Sequence, residues 1–401
     1  MAKNQPTTKY VGSAGLNDKD DSYEIGFEAL TEATNIEITR NRKPRRRAGS
    51  AQVLAATPSS ALIRDEVFLY LEGSSLKRMN EDFSTDTIRT DMVGQGLAGA
   101  VLNGNVYYSD GIKTGVYSIE NRTDRSLGLT VPGVAALSLI SGQLRAGRYQ
   151  AVLTYVRDDG QESGTSKSAR IETTADDGGI SFSLPTSSDP TVESVNIYMT
   201  YADGTEYYLA ATVDNGTATY DFQGYSFENQ RKLMTWRLAP PSGFTDISEF
   251  AGRLVYIKDQ FITYSEPYAY ELVDPRTGFI NLTGKVTLFA PNDDGVFIGT
   301  NKRMWFARGD DMPGLDLKAI ADYGAIEGTL AYAQGSVVGD GSISEDYVPI
   351  WMSSRGLCVG LPNGSVENAT IRKVNTPSGG TGTAMVRERD GNHFYVSVIQ
   401  S

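Results

Sequence analysis

One unit recurs along most of this 401-residue chain: a short apolar strand, a turn built on Gly, Asn or Asp, and a second short apolar strand. Nothing else in the sequence limits the possible folds as strongly. Val67-Phe-Leu-Tyr-Leu71 turns at Glu72-Gly73 into Ser75–Met79, and Leu97–Leu102 turns at Asn103-Gly104 into Val106–Asp110. Ile247–Ala251 turns at Gly252-Arg253 into Leu254–Ile257, then at Lys258-Asp259 into Gln260–Ser265. Val286–Ala290 passes Asn292–Gly295 into Val296–Gly299, and Val348–Ser353 turns at Ser354–Gly356 into Leu357–Val359. The last copy is Ala384–Glu388, the turn Asp390-Gly391-Asn392, and Phe394–Val398. Gly supplies 42 residues, which suits a chain made of tight turns and few helices. The pattern predicts an all-β chain of consecutive small antiparallel sheets, as in a β-propeller of about five or six blades. An irregular pair of sandwiches is the alternative reading.

The rhythm breaks over 129–241. Pro132-Gly133 opens this stretch and Pro240-Pro241-Ser242-Gly243 closes it, with longer alternating strands between them. Gly147–Val156, Gly179–Leu184, Val195–Tyr201 and Glu206–Thr212 read as strands separated by Gly turns. They predict a disulfide-free sandwich of fibronectin-III or immunoglobulin type inserted between two blades. Such an insertion costs little, because loop-closure entropy grows slowly with length. The expected organisation is an N-terminal arm and first strand over 1–47 and propeller over 48–128. The inserted sandwich takes 129–241, and the propeller resumes over 242–401. Residues 1–20 are polar and read as an extended arm. Tyr23–Leu30 reads as strand or a turn of helix, and Ala33–Thr39 as a strand.

Scarce residues exclude much chemistry. A single cysteine, Cys358, rules out an intrachain disulfide and Cys-rich metal sites, and a single histidine, His393, rules out a multi-histidine centre. Cys358 reads as a small buried hydrophobe. His393, one step past a turn, reads as a strand-end surface residue. No phosphate-cradling Gly loop precedes a helix, so no nucleotide or other cofactor is expected. The acidic pairs Asp20/Asp21, Asp158/Asp159, Asp176/Asp177, Asp293/Asp294 and Asp310/Asp311 sit mostly beside Gly, where Asp caps its own backbone; Arg308-Gly309-Asp310 reads as a turn as well. Tyr, at 22 residues, fits strands and protein–protein surfaces. No catalytic residue is expected. No run approaches the ~20 apolar residues of a membrane span, and the N-terminus lacks a secretory core. The expectation is a soluble protein made in a cytoplasm.

Net charge is −12, but it is unevenly spread. Arg40, Arg42, Lys43, Arg45, Arg46 and Arg47 crowd into eight residues with no carboxylate among them. Without these six, 31 cations face 49 carboxylates, a balance of −18. So acidic a body disfavours a nucleic-acid-binding surface. The basic run is expected to meet an acidic neighbour, and Arg45, Arg46 and Arg47 to do so at a subunit boundary.

The N-terminal segment carries the most specific pattern: Gly15-Leu16-Asn17-Asp18, then Asp20-Asp21, Glu28-Ala29-Leu30, Ala33-Thr34-Asn35-Ile36 and Arg45-Arg46-Arg47-Ala48-Gly49. Together with Ile262–Pro267, which holds a Ser-Glu-Pro strand, it resembles the propeller-containing tail nozzle, hub and head–tail proteins of short-tailed and related bacteriophages. The resemblance implies a virion structural protein of the tail or neck, assembled in the host cytoplasm. It implies a homo-oligomeric ring that carries the DNA channel and binds neighbouring tail or connector proteins. DNA would pass during genome ejection without specific binding, and no membrane insertion is implied. The competing reading is a glycosidase or glycan-binding protein on a propeller scaffold, which fold alone does not exclude.

Overall fold

The computed structural model describes residues 15–21, 24–26, 28–38, 43–49, 51–52, 56, 58–64, 66–94, 96–224, 227, 231–338, 347–389 and 391–400. Among them there is no α-helix. The described residues form a succession of small antiparallel sheets and include two single-turn 3-10 segments, Met312–Gly314 and Gly335–Val337. Five sheets are meanders: sheet I over 60–89, II over 98–126, III over 246–281, IV over 286–321 and V over 331–368; each strand pairs with the next, except that Phe279–Asn281 of sheet III pairs back with Phe261–Glu266. A two-stranded hairpin, Thr381–Arg389 with Asn392–Gln400, follows sheet V.

Turn chemistry sets the register. Asn103 and Gly104 both have positive φ, 51° and 72°, the two-residue geometry whose twist matches the flanking strands. The turn expected at Gly252-Arg253 lies one residue earlier. Ala251 and Gly252 take the positive φ values, 55° and 69°. The glycine therefore fills the second turn position, and Arg253 moves into the strand. There Arg253 is buried, and its Nη1 donates to the Ser265 carbonyl at 2.7 Å.

The chain falls into two compact units. One holds 58–258 and 262–280, and so contains sheets I to III and the stretch between II and III. Its strands alternate between two buried faces. On strand Asn105–Ser109, Val106 and Tyr108 join Leu62, Leu69, Leu71 and Leu76 of sheet I, while Tyr107 points the other way to Ile247, Leu254 and Tyr256 of sheet III. The middle sheet is thus covered on both sides. The other unit holds 259–261, 281–400 and the described part of 15–57. In it Leu288, Phe297 and Phe306 of sheet IV pack on Trp351 and Cys358 of sheet V. Ala333, Val348 and Ile350 of sheet V pack on Val386 and Tyr395 of the terminal hairpin.

Between sheets II and III the chain forms a two-layer sandwich. Three strands, Ala136–Leu144, Gly178–Ser183 and Thr219–Phe222, make one sheet; Ala169–Thr173, Gly147–Arg157, Val192–Met199 and Tyr208–Asp214 make the other. Ile180, Phe182 and Phe222 meet Leu153, Ile197 and Met199 between the layers. Sequence periodicity identified four of these seven strands. The three it missed are edge strands of their sheets, two of them only five and four residues long.

Loops are fixed by side chains. The buried Asp110 carboxylate accepts N–H groups from Val93 (2.7 Å), Gly94 (2.8 Å), Ile112 (2.9 Å) and Lys113 (2.6 Å). A side chain at Gly94 would fall on the Asp110 carbonyl, so only glycine allows this approach. Burial alone would raise the Asp110 pKa; the four donors outweigh it and hold the carboxyl below its usual value of 3.8.

Trp351, fully buried between sheets IV and V, should cost about 3–5 kcal/mol when changed to Ala. Exposed Met234 changed to Ala should stay within about 0.5 kcal/mol. Urea titration followed by circular dichroism measures both. For Asp110 the folded pKa lies below the unfolded one, so its contribution is present above the unfolded value and is lost as pH falls through the folded value. Asp110→Asn should therefore cost about 1–3 kcal/mol at pH 7, with the gap from wild type closing as pH falls through the folded value. A gap that stays constant with pH would rule out the carboxylate as its source.

Candidate interaction surface

The first part of the N-terminal pattern folds into a clip. Gly15–Leu16 (β1) pairs in parallel with Ala29–Leu30 (β2), and the Asn17 N–H donates to the Leu30 carbonyl at 2.8 Å. Asp18 accepts the Asn375 N–H at 2.7 Å, while its own N–H donates to the Lys373 carbonyl and Lys19 reaches the Ile371 carbonyl. The described part of the expected arm is therefore docked within its own chain; residues 1–14 lie outside the described residues. Of Tyr23–Leu30, Ala29 and Leu30 form a strand, and Tyr23 and Phe27 lie outside the described residues.

The basic run enters the next hairpin, Ile36–Ile38 (β3) against Pro44–Arg46 (β4). Arg40 and Arg42 lie outside the described residues. Glu37 stands opposite Arg45, and its buried carboxylate accepts from Arg45 Nε at 3.3 Å and from Arg387 Nη2 of the terminal hairpin. Arg45 thus has an acidic partner within the chain, because strand register places it against Glu37. Lys43, Arg46 and Arg47 are exposed. Neither Arg46 nor Arg47 has an ion pair among the described residues. Arg46 lies opposite half-exposed Ile36. A shallow dip of about 300 Å³ is lined by Thr34, Asn35, Ile36, Pro44, Arg45 and Arg46.

The acidic pairs do turn work. Asp20 accepts from Asn17 Nδ2, Asp159 from the Gln161 N–H, Asp176 from the Ala146 N–H and Asp311 from the Met312 N–H. Asp293-Asp294 is the turn between two strands of sheet IV. No three His, Cys, Asp or Glu side chains among the described residues gather into a metal-binding group. Cys358 is buried in the core of sheets IV and V, where burial pushes its thiol pKa up. His393 is exposed on its strand.

Sequence reasoning missed the strongest charge cluster altogether. Glu271, on strand Ala269–Val273 of sheet III, is only 2 % exposed. Arg125 of sheet II donates to it at 2.6 and 2.9 Å. Arg157, at the end of a sandwich strand and 3 % exposed, donates at 3.1 to 3.2 Å. The Gly128 N–H adds a bond of 2.7 Å, and Asp159 flanks both arginines. Burial first, and the Glu271 charge second, push the Tyr107 phenol up to about 12. In sequence, Glu271 is merely one polar residue in an alternating strand, with no local mark of burial.

No family model matches the chain, and no curated protein matches it. Solved structures similar to it include Kluyveromyces lactis Hsv2, at 10 % identity and a TM-score of 0.31 over 85 % of this chain and 89 % of that one. The extracellular domain of a one-component system protein, BT4673, of B. thetaiotaomicron gives 9 % and 0.30 over 85 % and 38 %. Porphyromonas gingivalis dipeptidyl peptidase 4 gives 8 % and 0.26 over 83 % and 46 %. Scores of this size carry no argument about fold or function.

The Glu271 cluster bears on whether the sandwich can be cut out. Replacing 130–240 by a Gly-Ser linker removes Arg157, so the shortened chain should melt below the parent instead of matching it. Glu271→Gln in the full chain leaves buried Arg157 and half-buried Arg125 with only the more exposed Asp159 as counter-charge and should cost about 3–5 kcal/mol. An unchanged urea midpoint for Glu271→Gln would show that the cluster is not needed for stability.

Proposed function

We propose that this chain is a ring-forming structural subunit of a tailed-phage tail or neck, with DNA passing through the ring. In this reading sheets I to V are propeller blades, and the terminal hairpin with β3 and β4 makes a sixth. The seven-strand sandwich is the inserted fibronectin-III or immunoglobulin-like domain.

The N-terminal clip carries the proposal. The residues that bear the resemblance, Gly15-Leu16-Asn17-Asp18 and Ala29-Leu30, lie far from the blade repeats in character, yet they contact one another and the 371–375 segment. These two parts of the motif meet in one folded element, and Ile36 and Arg45-Arg46 fall in the hairpin that follows it. The charge distribution agrees with it. An acidic body lets a phosphate backbone slide past, and gathering six cations into 40–47 leaves the rest of the chain at −18.

Purified virions and the isolated chain provide the test. The protein should appear by mass spectrometry in purified particles, and negative-stain microscopy of the expressed chain should show discrete rings. A chain absent from virions and monomeric at every concentration would sink the reading. Release of sugars from a glycan panel would favour the glycosidase reading instead.

A further inference from the structure

We propose that the β3–β4 hairpin of one copy docks, through Arg46 and Arg47, onto the acidic end of sheet IV of a second copy. The inference rests on the ring reading and names both halves of its interface.

Glu37 is shared by Arg45 and Arg387, so both of those guanidiniums already have a carboxylate partner inside the chain. Arg46 and Arg47 are not: both are exposed, and neither pairs with a carboxylate among the described residues. Beside them half-exposed Ile36, with the dip along the hairpin, supplies apolar contact area at the centre of a charged rim.

The complementary surface is the turn end of sheet IV. Asp293 and Asp294 form the turn between its first two strands, and Asp310 and Asp316 flank the loop between its last two. Strand register brings these turns together: Gly295 pairs with Arg308, Arg308 pairs with Asp316, and the Gly309 N–H donates to the Asp294 carbonyl. All four carboxylates are exposed, and none has an ion-pair partner among the described residues. Arg308, the cation nearest them, donates instead to the Asn363 carbonyl at 3.1 Å.

These two surfaces do not meet within one chain. The β3–β4 hairpin is clamped to the terminal hairpin, which packs on sheet V, which packs on sheet IV. Two sheet spacings separate them, roughly 20 Å, about twice the screening length at 0.1 M salt. Each surface is complementary to the other and not to itself. The contact is therefore heterologous, the kind that closes rings when the rotation per subunit allows.

Two neutralised variants test this, Arg46→Gln with Arg47→Gln, and Asp293→Asn with Asp294→Asn and Asp316→Asn. All changes are at exposed positions, so melting temperatures should match wild type, which controls for folding. By sedimentation velocity, each variant alone should need at least about tenfold more protein to assemble, and the wild-type oligomer should weaken as salt rises. Mixed in equal amounts, the two variants share one intact contact and should stop at a two-chain species, twice 43.5 kDa. Rings from either variant at wild-type concentrations would overturn the interface and leave the ring reading standing. Assembly of the mixture beyond two chains would overturn the heterologous pairing. A wild-type chain that stays monomeric throughout would overturn the ring reading, and this inference with it.

Discussion

A single carboxylate joins three parts of the larger unit. Glu271 sits where sheet II, sheet III and the sandwich converge, and it accepts from two guanidiniums and one backbone N–H. Water does not reach it, so its charge has to be met by the protein itself. Only one arrangement of the three elements brings Arg125, Arg157 and the Gly128 N–H to the same atom pair. Apolar packing between sheets tolerates small slides; this cluster does not, because any slide leaves a buried charge without its partner. The sandwich is therefore oriented by charge geometry as well as joined by its two linkers.

The meanders were legible in sequence because their information is local. Asn103-Gly104 specifies a turn with two positive φ values, and the alternation of Val106, Tyr107 and Tyr108 already states that both faces of the strand are covered. The one-residue error at Ala251-Gly252 has a local cause too: glycine suits either central turn position, and only pairing of the whole strand decides between them. The long-range features were not legible. Glu271, Arg125 and Arg157 are separated by up to 146 positions, and each looks like an ordinary strand residue in its own neighbourhood. Likewise nothing near Glu37 announces Arg387, 350 residues away. Polarity read from sequence predicted an extended arm over 1–20, because the partners of Asp18 and Lys19 lie at 371–375.

The basic run divides according to register. β3 and β4 are antiparallel, so Glu37 can face only one residue of β4, and that residue is Arg45. A carboxylate flanked by two guanidiniums fastens the N-terminal segment to the terminal hairpin. Arg46 and Arg47 are left outside this arrangement. Composition alone treats the six cations as one patch, whereas pairing sorts them into a structural part and a solvated part.

The buried and the exposed charges accordingly play opposite physical parts. In the Glu271 cluster, desolvation makes the interaction insensitive to salt and expensive to break from one side, which suits a permanent joint. At Arg46 and Arg47, solvent keeps each pairing weak and screened, on the order of 0–1 kcal/mol, so a contact built from them needs several pairs acting together with some apolar area beside them. The hairpin has both, because half-exposed Ile36 stands directly opposite Arg46. A subunit contact made this way assembles reversibly and corrects its own misplacements, while the joint within each subunit stays fixed. That division follows from where strand register puts each charge relative to water, and the number of charges alone would not produce it.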